Sequence, residues 1–309
     1  MNPAPSIVFF TTASGAGYGL LFWLGVLRPL GWGDGAPSLG AAAVVLALVL
    51  ITAGLLSSLA HLGNPQRAWR AFSQWRSSWL SREGVAAVLT YPPALLLLLA
   101  LWSGWPAVAT LAGLLAAAGA AATIYCTAMI YASIKPVRQW RHPLVVPGYF
   151  AMAAFSGAAL LAALAAWWDA GRLLPVPAAL AALGGLAAIG LKFAYWRAVD
   201  AGMPGPTAEG ATGLGAIGRV RPLDPPHTEQ NYLLREMGFR VARKHAARLR
   251  QVALWGGFAA PAVLAALALA GAPAAPLLAL GALLALLGVL VERWLMFAEA
   301  THTVMLYYR

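Results

Sequence analysis

The chain has 309 residues, 61% of them hydrophobic and only 10% charged, with a formal net charge of +11. That composition leaves too little polar surface to keep a globule in solution, which excludes an ordinary soluble domain. The basic excess lies in three separate connections with no recognisable nucleic-acid-binding fold, so nucleic acid is not the partner it implies.

A bilayer core of about 30 Å takes about 20 apolar residues in a helix. Eight stretches meet that length: Ser6–Leu30, Leu39–Ala60, Gly84–Gly104, Pro106–Tyr131, Val146–Trp168, Val176–Trp196, Gln251–Gly271 and Ala274–Phe297. The predicted fold class is therefore all-α, an eight-helix polytopic membrane bundle forming a single domain over residues 1–309. Met1–Ser6 carries no Lys or Arg and leads into an apolar stretch too long for a signal peptide, so the first stretch reads as a retained helix; no twin-arginine signal is seen. Two features leave seven or nine spans as alternatives. Spans three and four are joined by only Trp102-Ser103-Gly104-Trp105-Pro106, and Pro92-Pro93 falls inside span three. A Pro within a membrane helix bends it and frees a carbonyl that neighbours satisfy, which favours one bent span.

The connections differ sharply in charge. The second-to-third carries Arg67, Arg70, Arg76 and Arg82 against Glu83, and the fourth-to-fifth carries Lys135, Arg138 and Arg141 with no acid. From Lys192 to Arg250, ten basic residues oppose five acidic ones. The remaining connections hold only Arg28, Asp34, Asp169 and Arg172. The positive-inside rule makes the three basic connections cytoplasmic, and both termini with them. Lipid headgroups account for many of these arginines equally well.

The single cysteine, Cys126, lies in span four and excludes a Cys-ligated iron–sulfur cluster or covalently attached haem in this chain. The five histidines, His61, His142, His227, His245 and His302, form no evident pair inside spans, so haem b is not expected either. Polar residues gather instead at the membrane boundary. His61 ends span two, Glu83 precedes span three, and the Arg- and Trp-rich segment of about 16 residues between them fits an interfacial helix that sets both at one depth.

These residues carry a resemblance. His61-Leu62-Gly63-x-Pro65-x-Arg67-Ala68 followed by Ser77-x-x-Leu80-Ser81-x-Glu83 resembles the membrane-anchor subunits of dimethyl sulfoxide reductase-type molybdenum enzymes, the DmsC family. Phe9-Phe10-Thr11-Thr12-x-x-Gly15-x-Gly17 and Glu292-Arg293-Trp294-x-x-Phe297-Ala298-Glu299-Ala300-x-His302-Thr303 are similar to the same family, so the resemblance spans essentially the whole chain. It implies an anchor for a molybdopterin catalytic subunit and an iron–sulfur subunit, exchanging electrons and protons with ubiquinone or menaquinone and holding no redox cofactor of its own. On that pattern His61 and Glu83 match the quinol-site pair and are the expected proton-exchanging groups; Arg67, Trp79 and Arg82 beside them are the further residues expected to hold the quinone. The chemistry is apt, because quinone reduction consumes two protons, His titrates near neutral pH, and a desolvated Glu can do so. Other readings stand beside it: His61 as a hydrogen-bonded helix end, Glu83 as a helix-start charge balanced by Arg82, and the tryptophans as an interfacial belt.

A second cluster, Glu292, Arg293, Glu299 and His302, lies in and beyond span eight. Intramembrane ionisable groups suggest a proton path or quinone pocket; a Glu292–Arg pair tying helices together is the equal alternative. In the longest connection, Asp200–His227 is rich in Gly and Pro and is expected to be non-helical, whereas Thr228–Arg250 is expected to form a basic surface helix. A loop of that length serves a partner, and Lys135, Arg138, Arg141, Arg243 and Lys244 are the expected dock for the iron–sulfur subunit. If this face is cytoplasmic, the resemblance points to the sulfite dehydrogenase branch, with a quinol-oxidising dimethyl sulfoxide reductase anchor as the alternative. A purely structural anchor is a further class. A transporter is disfavoured because no internal repeat is evident.

Overall fold

The computed structural model describes all residues except 1, 61, 170, 203–206, 222, 225–226, 228, 230, 232–236, 238–240 and 309; for 241–243 and 306–308 it describes the backbone alone. Among the described residues, eight helices are long and apolar enough to cross a membrane, and strands are absent. They are α1 (Pro5–Leu27), α2 (Pro37–Leu59), α3 (Trp79–Ser103), α4 (Pro106–Ala132), α5 (Val145–Trp167), α6 (Pro175–Asp200), α7 and α8 (Ala274–Ala298). The seventh is continuous but not uniform: Val241–Gln251 is α-helical, Val252–Ala259 is a π-helix, and Ala260–Leu269 returns to α. Helices α1, α2, α4 and α6 begin on Pro, whose missing N–H costs nothing in a first turn. Pro92 and Pro93 lie inside an unbroken α3, so the count of eight holds.

The segment between α2 and α3 is a 3₁₀ stretch, Pro65–Gln74, with no buried residue. Part of the long connection departs from expectation. Within 200–227, Ala208–Thr212 makes one helical turn because Thr207 Oγ1 accepts from Gly210 N at 3.1 Å, and a 3₁₀ turn follows at Leu214–Ala216. Of the surface helix predicted after Thr228, Val241–Gln251 is helical, and much of the stretch before it lies outside the described residues.

Helix α1 is the hub. It packs on α2, α4, α5 and α8, and 72% of its apolar window is buried, against 33–56% for the other seven. Lipid is as apolar as leucine, so these helices associate through close backbone approach rather than through exclusion of water. Small residues permit it. A Cβ on Gly157 of α5 would stand 2.2 Å from the Gly19 carbonyl carbon of α1, and one on Gly257 of α7 would stand 2.3 Å from the Gly288 Cα of α8. Indole N–H groups add fixed ties, from Trp23 to the Ala154 carbonyl (2.7 Å), Trp32 to Leu173 (2.8 Å) and Trp140 to Met296 (2.9 Å). Large apolar side chains such as Leu95, Leu99, Leu111 and Leu183 point outward, where lipid solvates them.

Eight alternating crossings put both ends of the chain on one face with the α2–α3, α4–α5 and α6–α7 connections. All of the strongly basic connections therefore share a face. On the other face Arg28 is neutralised by Asp34 at 3.2 Å. The basic face is also closed by its own chain end: Thr303 N–H bonds the Pro136 carbonyl, Thr301 N–H bonds Gln139 Oε1, and His302 lies against Val137.

Candidate functional site

Helix α3 starts at Trp79, five residues earlier than the apolar pattern predicts, and this changes the setting of Glu83. The carboxylate is not at a helix entrance. It lies on the second turn, 4% exposed, and turns inward against α4. Its partner is Thr127, whose hydroxyl contacts Glu83 Oε1 and also lies 2.9 Å from the Thr123 carbonyl. A hydroxyl has one proton and two lone pairs, so Thr127 can donate to an ionised Glu83 or accept from a protonated one while donating to Thr123. The carboxyl thus has a partner in both protonation states.

Arg82 does not balance this charge. Its Nε and Nη2 donate to the carbonyls of Trp75 (3.0 Å) and Arg76 (2.7 Å), and its guanidinium stacks 4.3 Å over the Trp79 ring. Arg82 therefore ties the 3₁₀ segment down on the start of α3, and Phe72 of that segment covers Gly84, approaching to 3.2 Å of where a Cβ would sit. Trp79 and Glu83 are four residues apart and share a helix face. Trp79 meets Tyr125 of α4 edge to face at 5.6 Å, and Tyr125 is 42% exposed at the lipid surface. A buried carboxyl thus stands one helical turn from an aromatic pair open to the bilayer. Arg67 is exposed on the 3₁₀ segment. His61 lies outside the described residues.

The second cluster divides into parts. Glu292 is buried and held by Lys192 Nζ at 2.5 Å and by Arg293 at 3.5 Å. Arg293 in turn sits 3.7 Å over the Tyr149 ring, which stacks on Tyr131. Glu299, beyond the end of α8, binds Arg250 at 2.7 Å, and Arg250 also binds Asp200 at 2.7 Å. Burial pushes the Glu299 carboxyl above its ordinary range, with Arg250 opposing the shift. Trp196 lies between the two groups, with Lys192 Nζ 5.1 Å and the Arg250 guanidinium 5.4 Å from its ring. His302 joins neither group through a described contact; its Nδ1 accepts from Val304 N–H at 3.1 Å. Lys192 is not a residue that the sequence marks out. A Lys near the end of an apolar stretch reads as one reaching for water, and its partner is 100 residues away.

Between these groups, α1, α4, α5 and α8 line a narrow, partly open cavity with Thr11, Thr12, Tyr18, Thr127, Tyr149 and Arg293, among others. It is water-sized, too small for a quinone ring. Lys135, Arg141 and Lys244 are exposed on the basic face, Arg138 is half-buried, and the Arg243 side chain lies outside the described residues.

A family model described as DMSO reductase anchor subunit (DmsC) matches residues 1–307. The chain belongs to the DmsC family. This DmsC-family chain is 31% identical to a sulfite dehydrogenase subunit from Allochromatium vinosum over 330 aligned positions, which cover 100% of this chain and 99% of that protein. It is accordingly a multi-pass membrane anchor that associates with catalytic and electron-transfer subunits.

Proposed function

We propose that this anchor is the quinone-reactive subunit of a molybdopterin oxidoreductase, passing electrons from an iron–sulfur subunit to ubiquinone or menaquinone in a bacterial inner membrane. The observation that carries the reading is Glu83: a carboxyl sealed from water, partnered in both protonation states, and one turn from the lipid-facing Trp79–Tyr125 pair. A quinone head group entering from the bilayer would stack on those aromatics and meet Glu83 through an oxygen. Quinone reduction takes two electrons and two protons; the iron–sulfur partner supplies the electrons, and Glu83 with His61 delivers the protons. His61 enters on the family pattern alone. Arg82 acts on the site by holding the 3₁₀ segment against α3, and Arg67 lies on that segment. The chain itself carries neither haem nor iron–sulfur cluster in this reading, and the molybdenum chemistry belongs to its partner.

We further assign the basic face to the cytoplasm, with both chain termini there. The four charges of the opposite connections, two of each sign, leave no competing positive excess. A cytoplasmic dock and the Allochromatium vinosum relative together favour electron delivery from sulfite oxidation. The family description keeps a second reading in view, a quinol-oxidising anchor for S- or N-oxide reduction. Lys135, Arg138, Arg141, Arg243 and Lys244 make up the proposed dock.

One experiment tests orientation and docking together. In sealed membranes, Lys135→Cys is expected to react with an impermeant thiol reagent only from the cytoplasmic side, and only after the partner subunits have been stripped with high salt, since exposed charge pairs weaken as salt rises. The native Cys126 is buried and gives little background. Labelling from the outer side, or undiminished labelling in the assembled complex, contradicts the assignment.

A further inference from the structure

The cavity between α1, α4, α5 and α8 has a polar lining that the protein leaves incomplete. The Tyr149 hydroxyl and Arg293 Nε are buried and have no hydrogen-bond partner, and the buried Tyr18 hydroxyl has only Thr123 near it, although unpaired buried donors are costly. These residues are 4%, 3% and 2% exposed, and all three line the same cavity. Four of its other polar residues are already committed as donors: Thr11 to Ile7 O, Thr12 to Val8 O, Ser14 to Phe10 O and Ser156 to Met152 O. These four hydroxyls have only lone pairs left to offer, whereas Arg293 offers only a proton. A water-sized guest that accepts from Arg293 and donates to a spare hydroxyl lone pair meets both sets at once. Water is the molecule that fits.

Thr127 lines the cavity and also contacts Glu83, while Arg293 lines it and also contacts Glu292. We propose that ordered water in this cavity forms an internal proton path, running from the Lys192–Glu292–Arg293 group through Tyr149 and Thr127 to Glu83. This rests on the reading of Glu83 as the proton donor to quinone. The path matters because the direct route to water is covered by Phe72 and the Arg82-pinned segment. Its outer end is the Lys192–Glu292 pair; Glu299 and Arg250, which reach the exposed Asp200, lie on the far side of Trp196, so a water beside the indole, which itself carries no proton, completes the route to the surface. Two protons move inward for each quinone reduced by two electrons from the iron–sulfur partner. Arg293 is a positioning residue, holding the water while the hydroxyls and carboxyls carry the proton. The Thr11-Thr12-x-x-Gly15 stretch of α1 thereby gains a role as the wall of a hydrated cavity.

Gly15 allows a plug that removes no polar group. It lines the cavity, and a Cβ there meets nothing within 4 Å. Gly190 of α6 has equal room but is exposed and outside the cavity, so Gly190→Val is the control. In the assembled complex, X-ray hydroxyl-radical footprinting is expected to oxidise the buried Met152 and Tyr149 in wild type, since bound water generates radicals in place, and to spare them in Gly15→Val. The same variant is expected to bind quinone-site inhibitors normally yet reduce quinone about 10²-fold more slowly, the lower range for losing a positioned proton-transfer group. Tyr149→Phe keeps the ring under Arg293 and is expected to show the same split between binding and turnover. An unlabelled Met152 in wild type, or normal turnover in a folded Gly15→Val complex that has lost the labelling, overturns the path. If Glu83→Gln is also without effect, the quinone reading itself fails; if Glu83→Gln is slow while both cavity variants are normal, only the path fails.

Discussion

Replacing Glu83 by Gln is expected to slow substrate-to-quinone turnover by about 10²-fold while leaving the complex assembled, the scale of one positioned acid–base group. The substitution keeps the shape and a hydrogen bond to Thr127 but removes the proton that the site must deliver. Activity with an artificial acceptor that draws electrons from the partner subunits is expected to stay normal, because it bypasses this chain. Steady-state assays with both acceptors on one preparation separate the two. If quinone reduction is unchanged, Glu83 serves only to join α3 to α4.

The second large effect concerns stability and follows from counting buried charges. Lys192 and Arg293 supply two positive charges against one on Glu292, and all three are 5% exposed or less. Glu292→Gln leaves two like charges facing each other inside the bundle, and a loss of about 3–5 kcal/mol is expected, as for breaking other buried ion pairs. Lys192→Met instead leaves a neutral Glu292–Arg293 pair and fills the same volume, so it is expected to cost about 1 kcal/mol or less. Thermal unfolding of the detergent-purified complex gives the order. Equal losses would show that the three residues do not act as one electrostatic unit.

Much of this architecture is legible in the sequence because the bilayer fixes helix length and penalises charge wherever the chain crosses it. Eight crossings, the shared basic face and the Glu83 region follow from those two constraints together with the family pattern. Helix ends are less legible. The start of α3 at Trp79 lies in a run of polar and charged residues that hydropathy assigns to a loop, yet Arg82 and Ser81 complete its first turn, and this turns Glu83 toward α4 instead of solvent. Thr127 is silent for a different reason, since a Thr in an apolar helix ordinarily bonds the carbonyl one turn back, as it also does here. Lys192 and Glu292 meet across 100 residues of sequence, so nothing local marks them as a pair. The hydrated cavity is assembled from four helices, and no single segment announces it.

Photolabelling locates the quinone, which the proposed mechanism puts at the start of α3. The assembled complex, illuminated with an azido-quinone that supports turnover, is expected to carry the label on peptides containing Trp79–Glu83 of α3 and Tyr125 of α4, and to lose it when excess unmodified quinone is present. Label confined to the lipid-facing surfaces of α6 and α7, or label that excess quinone does not displace from α3, would rule out a quinone site there.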